Sequence, residues 1–223
     1  MRISGDREIG IGKLGDQKIR KGILGNRDIR DIIVSSVVPK ADKVLRKMFP
    51  TAKFITYKNI GIKVKVKKPA EVGADRLVNA CAAYKLYGGP AIIIDFGTAT
   101  TFDVINAKGE YLGGAIAPGL ELSRDILKER TAKLPKIEIK APKNIIGKTT
   151  VEAMQSGLVF GYVSMVEGMA KRIKKSAFRN PHSAIKIIAT GGLARLICQQ
   201  TGIIDTIDDK LTLKGLRLLC RKN

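Results

Sequence analysis

"AIIIDFGTATTFDVI", residues 91–105, is the stretch that decides the fold. A run of buried-strand residues, Ala91 to Ile94, stops at Asp95, turns through Gly97, Thr98, Ala99 and Thr100, and resumes as apolar strand. Short apolar runs bounded by turn residues predict a β-hairpin here. Its tip is chemically unusual, because a plain turn needs neither a carboxylate nor a cluster of hydroxyls. Gly97 lets the backbone approach a ligand closely, since it carries no Cβ. Thr98, Thr100 and Thr101 offer hydroxyls, and turn N–H groups can converge on an anion. Asp95, at the end of a buried strand, is placed to hold a cation directly or through water. The alternative is an ordinary hairpin whose Asp and Thr side chains satisfy their own backbone.

Working outward, "GGAIAPG" (113–119) follows the next strand, and "ATGG" (189–192) links a buried strand to a helix. A strand–Thr-Gly-Gly–helix junction aims the positive end of a helix at whatever sits above it. Several such loops in one chain suggest a nucleotide cleft. The rest reads as alternating elements. Strands are expected in "DIIVSSVVP" (31–39, ended by Pro39), "AKFIT" (52–56), "IKVKV" (62–66), 91–95, 100–105, 111–116 and "AIKIIAT" (184–190). Alternating Val and Lys in "IKVKVKK" (62–68) marks an exposed edge strand whose lysines discourage further pairing. Helices are expected over 74–87, closed by Gly88-Gly89-Pro90, and over 119–132, 151–177, 192–200 and 212–222. The mixture is α/β, with an antiparallel strand meander in the middle.

"PAEVGADRLVNACAA" (69–83) supplies a second kind of chemistry. Gly73 permits a tight entry into the helix, and Asp75 and Arg76 fall in its first turn. An Asp there caps orphan N–H groups and suits the helix dipole. At a cleft, the same Asp can accept a proton from a substrate hydroxyl while the Arg neutralises an anionic group. Two other motifs fail on context. "GIGKLG" (10–15) fits GxGxxG, but the polar "MRISGDREI" before it is no buried strand. "IIGKTT" (145–150) imitates the end of a Walker A loop, yet Pro142 stands where that loop needs its first glycine.

Composition bounds the partners. The 44% hydrophobic content supports a substantial core, and no apolar run approaches the ~20 residues that span a membrane. Cys81, Cys198 and Cys220 form no CxxC pair and read as reduced cytosolic thiols, and the polar N-terminus does not read as a secretory signal. A cytoplasmic location is expected. The 41 Lys and Arg against 20 Asp and Glu give +21, which raises nucleic acid as a partner. The cations are dispersed, however, and aromatics are 5% with no Trp to stack on bases, so a basic surface that draws in anionic metabolites is the better account. His182, the sole histidine, reads as a surface loop residue and excludes a multi-histidine metal site.

At "DIRDIIVSSVVP", "PAEVGADRLVNACAA", "IIDFGTATTFDVI", "GGAIAPGLELSRDILKERTAKLP", "IGKTTVEAMQSGLVFGY", "IIATGGLA" and "KLTLKGLRLLCRKN" the sequence resembles the type III pantothenate kinases, from about residue 28 onward. The resemblance implies the actin/sugar-kinase/Hsp70 (ASKHA) fold: two RNase-H-like lobes with ATP between them, usually in a homodimer. It implies phosphorylation of pantothenate, with Mg²⁺ and a monovalent cation, K⁺ or NH₄⁺. It places the general base on Asp75, within the substrate-binding run Gly73, Ala74, Asp75 and Arg76. It places the monovalent-cation carboxylate on Asp95, an ATP contact on Thr98 beside Gly97, and a substrate contact on Thr150. The lobes are expected at residues 1–70, truncated, and 71–223.

Two departures shape the expectation. The family opens with a strand ending in Asp-x-Gly-Asn-Thr, the first lobe's own phosphate loop, and no such motif is found here. "RISGDREIG" instead resembles the segment just after that hairpin. The first lobe is therefore expected to be incomplete and the kinase activity weak or absent; a non-catalytic, ligand-binding or regulatory relative is the alternative. The second departure is Val66, where many relatives place a Tyr against the substrate.

Overall fold

The computed structural model describes residues 2–3, 7–8, 32–178 and 184–220. A small sheet contains β1 (Arg2–Ile3), β2 (Arg7–Glu8), β3 (Ile33–Val34) and β4 (Lys53–Phe54), in the order β2-β1-β3-β4. A larger one contains β5 (Ala91–Phe96), β6 (Ala99–Ile105), β7 (Tyr111–Pro118), β8 (Lys186–Thr190) and β9 (Thr206–Ile207), in the order β7-β6-β5-β8-β9. In the larger sheet, β5, β6 and β7 form an antiparallel meander, and β8 and β9 run parallel to β5.

The two sheets share one plan. In the first, the antiparallel pair β1–β2 corresponds to β6–β7, and the parallel pair β3–β4 to β8–β9. The place β5 fills in the second sheet has no counterpart among the described strands of the first. There β1 pairs directly with β3, antiparallel. "GIGKLG" and residues 4–6, 9 and 10 of "RISGDREIG" lie outside the described residues.

β5 is buried on both faces, which is why it reads as an unbroken apolar run. Ile92, Ile94 and Phe96 pack with Met154, Leu158, Val163 and Val166 of the long helix α4. Ala91 and Ile93 pack on the other side with Leu77, Ala80 and Cys81 of α2 and Leu216 of α6. The helices are α1 (Pro39–Met48), α2 (Ala74–Tyr87), α3 (Leu120–Glu129), α4 (Thr150–Ala177), α5 (Ala194–Cys198) and α6 (Leu211–Cys220). A capping box, Thr149 with Glu152, starts α4. Among the described residues, no helix is long and apolar enough to cross a membrane.

Several elements differ from expectation. Pro39 does not merely end a strand; it opens α1, where its fixed φ suits the first helical turn. That helix buries only Leu45 and Met48, so its apolar stripe is too narrow to stand out among its lysines. "IKVKV" forms a single bridge, Val64 to Tyr111, instead of an edge strand. Two residues beyond Tyr111, within β7, Gly113 takes φ +109. The Val64 and Val66 side chains nonetheless turn inward onto the core. The two-residue β9 carries too short a signal to be read from sequence.

Small residues let α6 lie tightly on α2. A Cβ at Gly215 would stand 2.7 Å from Val78 Cγ1 and 2.8 Å from the Val78 carbonyl oxygen. The backbone atom cannot retreat without moving α2. Gly215→Ala should therefore lower the melting temperature by several degrees: overpacking costs about 1–3 kcal/mol against a helix-propensity gain of about 1 kcal/mol. Thermal unfolding of the variant checks this, and an unchanged or higher melting temperature refutes the tight contact.

Candidate active site

The site is organised by the first two turns of α2. Gly73 is the N-cap, and Ala74, Asp75 and Arg76 form the first turn. Asp75 is exposed, and its Oδ1 accepts a hydrogen bond from the Arg76 backbone N–H at 2.8 Å. A Cβ on Gly73 would come within 2.6 Å of that oxygen, so the glycine leaves room for the carboxylate to fold back. Asp75 thus caps its own helix, and its carboxylate still faces solvent. Ala74 is buried beneath it.

Arg76 reaches from α2 to β6. Its Nε and one terminal nitrogen each stand 2.8 Å from Asp103 Oδ1. Asp103 is fully buried, and it also accepts from Tyr111 Oη at 2.7 Å and Thr101 Oγ1 at 3.0 Å. Burial pushes the Asp103 carboxyl up, while Arg76 and the hydroxyl donors pull it back. Burial also works against the guanidinium's charge, but the Asp103 carboxylate outweighs it and holds Arg76 above its ordinary value. The guanidinium and the two hydroxyl donors favour the charged carboxylate against its burial. Tyr111 is pushed up by burial and by the same carboxylate, so its hydroxyl stays protonated.

Arg76 and Tyr111 line a cavity of about 470 Å³ together with Val66, Lys67, Lys68, Glu71, Val72, Gly113 and Gly114. Val66 thus stands on a wall of the pocket that Arg76 enters. Lys68 is paired with Glu71 at 2.8 Å on the surface, where such a bond contributes little.

One turn after Asp75, Asn79 is buried and its Nδ2 donates to Asp95 Oδ2 at 2.9 Å. Residues four apart on a helix share a face, with Cβ atoms ~5–6 Å apart. The helix end that carries Asp75 is therefore joined to the hairpin tip that carries Asp95 and Thr98. Asp95 lies in register with Thr101 on β6 and Thr190 on β8. Gly97 and Thr98 are exposed.

Two glycine loops clasp the tip. On one side, Gly119 donates to the Thr98 carbonyl at 3.0 Å, and a Cβ there would sit 2.2 Å from the same oxygen. On the other, Gly191 has φ +95, and its missing Cβ would lie 2.7 Å from the Phe96 backbone and 2.6 Å from Asp95 Oδ1. Thr100 does not cap its own turn; its hydroxyl bonds to Tyr162 of α4. Thr101 is spent on Asp103. Thr150 stands apart from this hydrogen-bonded group, exposed in the first turn of α4.

A family model for type III pantothenate kinases matches residues 8–172. The chain belongs to that family. It has the family's actin/sugar-kinase/Hsp70 fold, with the mixed five-stranded order described above. Among solved structures it is similar to a conserved protein of the Baf transcriptional-activator family from Campylobacter jejuni. That match has a TM-score of 0.62 at 19% identity and covers 94% of this chain and 89% of the other. A more distant likeness is to the ethanolamine utilization protein EutJ from Carboxydothermus hydrogenoformans, with a TM-score of 0.46 at 17% identity, covering 92% and 73%. At these identities the likeness concerns fold alone.

Sequence reasoning missed Asn79, Asp103, Tyr111 and Thr212. The usable signal was a polar residue inside an otherwise apolar buried element: Asn79 among alanines, and Asp103 within "TFDVI". Replacing Arg76 by Met should remove Asp103's counter-charge, leaving it to be buried unpaired or to take up a proton, and cost about 3–5 kcal/mol at neutral pH. Burial already holds the folded carboxyl above its ordinary 3.8. Without Arg76 it rises further, so the folded variant keeps a proton that the unfolded chain releases, and stability falls as pH climbs. Denaturant unfolding should show the deficit shrinking as the pH is lowered toward about 4; a pH-independent deficit contradicts the ion-pair account.

Proposed function

We propose that this chain transfers the γ-phosphoryl group of ATP to the hydroxyl of pantothenate, giving 4′-phosphopantothenate, the first step of coenzyme A synthesis. Family membership supports the reaction class, and one observation carries the assignment of roles: the 2.9 Å bond from Asn79 to Asp95. It ties a helix N-terminus bearing a solvent-facing carboxylate to a turn bearing an aspartate, a glycine and a threonine. In this reading Asp75 accepts the hydroxyl proton as pantothenate attacks. Gly73, Ala74 and Arg76 hold pantothenate, with Arg76 and the nearby Lys67 drawing its carboxylate into the cavity of about 470 Å³. Thr150 is a further substrate contact. Gly97 and Thr98 face the ATP phosphates.

Asp95 is the carboxylate for K⁺ or NH₄⁺, and Mg²⁺ accompanies ATP. The donor set suits hard cations: oxygen ligands predominate, and the described residues contain no cluster of three His, Cys, Asp or Glu. Asp95 would hold such a cation, which would supply positive charge beside the ATP phosphates. When bound, such cations neutralise charge on the transferring phosphoryl oxygens. The chain's own part is to position: Asn79 orients Asp95, Asp103 orients Arg76, and the α2 N-terminus carries Asp75.

We place the two lobes at residues 1–70 and 71–223 and the protein in the cytoplasm. A homodimer belongs to the same proposal, and Leu122 and Ile126, one turn apart on α3, are 41% and 44% exposed.

A second reading has its own support. The first sheet lacks a described strand in the place that β5 fills in the second. A chain short of one phosphate loop would bind pantothenate without turning it over, since even one lost preorganised contact removes ~10²–10³ in rate. A coupled assay with ATP, Mg²⁺, K⁺ and pantothenate, run beside pantothenate calorimetry, separates the two. ADP formation that requires pantothenate supports the kinase, and binding without turnover supports the second reading. Asp75→Asn should abolish pantothenate-dependent turnover and leave the melting temperature nearly unchanged. Full activity in that variant removes Asp75 from the base role.

A further inference from the structure

Beneath Asp95 a buried polar chain continues past Asn79 to a helix that the reaction roles do not use. Asn79 is 1% exposed on α2, and Thr212 is 7% exposed on α6. The Thr212 hydroxyl donates to Asn79 Oδ1 at 2.7 Å, and Asn79 Nδ2 donates to Asp95 Oδ2 at 2.9 Å. Each bond has a fixed sense. A carboxylate only accepts, so the amide must present its NH₂ end to Asp95. Its carbonyl end then faces Thr212, where the hydroxyl serves as donor. A flip of the amide would set two oxygens against each other at Asp95, so the carboxylate end fixes the sense of the chain. Such a chain polarises along its length and holds its last member in one orientation.

A second observation marks the same spot. Thr190 is fully buried, and its Oγ1 has no hydrogen-bond partner. It is in register with Asp95 on the adjacent parallel strand, so the two side chains project to the same face of the sheet. A buried hydroxyl without a partner beside a carboxylate is a place where the protein leaves polar demand for a ligand.

We propose that Thr212 and Asn79 are positioning residues for Asp95. Acting through the amide, the hydroxyl of the last described helix fixes the carboxylate that receives the monovalent cation. The proposal rests on the reading of Asp95 as that carboxylate. It makes the seating of α6 on α2, through Gly215 against Val78, part of the cation site's geometry, although α6 itself contacts no ligand in this assignment. Groups that orient a metal's ligands typically change metal affinity by ~10–100-fold when removed.

The test uses the intact chain, titrated with KCl at ionic strength held constant by choline chloride, and reads the melting temperature. Wild type should show a K⁺-specific rise. Thr212→Val, which keeps shape but removes the donor, should need roughly tenfold or more KCl for half of that rise. Thr212→Ser should restore the wild-type midpoint, an effect that a purely structural role of Thr212 would not produce. Should the valine variant fail to fold, Thr212→Ala takes its place with the same expectation. A wild-type midpoint in the valine or alanine variant, with wild type responding to K⁺, overturns the positioning role alone. No K⁺-specific rise in wild type overturns the reading of Asp95, and the proposal with it.

Discussion

Two carboxylates of the sheet, Asp103 on β6 and Asp95 on β5, each bind a side chain from the same face of α2. Arg76 goes to the first and Asn79 to the second, three residues apart along the helix. Everything at the site follows from this double anchorage. A charge as deeply buried as Asp103 is tolerated only with a counter-charge and full hydrogen bonding. The pair therefore fixes where α2 sits along the sheet, and Asn79 fixes how the helix is rotated. Asp75, on the same face, is then delivered to the hairpin tip by geometry alone. Arg76 is left with one edge tied into the sheet and the other at the pocket wall, which makes it a rigid donor and not a mobile cation.

Around this anchorage the chain brings backbone close to backbone. Gly119 and Gly191 close on the 95–98 turn from opposite sides, in places where a Cβ would overlap main-chain atoms. Such packing concentrates peptide dipoles around one turn and leaves Gly97 and Thr98 exposed between the clasping loops. In the proposed reading, this turn meets phosphate mainly through its backbone, with side chains playing the smaller part. The threonines divide accordingly. Thr100 and Thr101 hold the turn to α4 and to Asp103, and only Thr98 faces outward.

The charge of +21 acts in a more diffuse way. Where lysines meet acids, as in Lys65 with Glu110 or Lys68 with Glu71, the pairs sit on the surface and stabilise little. Their larger effect is a positive field about a pocket into which Lys67, Lys68 and Arg76 all project, which favours small anions. Val66 contributes a short apolar wall there and no hydroxyl.

The long elements were legible because their signals are local. β5 announces itself as a continuous apolar strand, α2 as an alanine-rich helix stopped by Gly88, and the 106–110 turn by its Asn and Gly. Asp75, Asp95 and Thr98 stand out in the sequence as polar residues at the ends of apolar elements, and their placement near one another rests on the Asn79–Asp95 bond. α1 and the single bridge at Val64 were not, since a helix with two buried residues and an alternating stretch with no neighbouring strand look the same as their alternatives until packing is known. Nor does any local pattern show that Asn79, Asp103, Tyr111 and Thr212 are partners, because the residues in each bonded pair come from different elements. Sequence by itself determined the long strands and helices and where the glycine turns fall, because periodicity and glycine placement act over a few residues. Only the tertiary structure decided that the α2 N-terminus and the hairpin tip are one site, because the bonds that join them run between side chains far apart in the chain and form only once the helix is seated on the sheet.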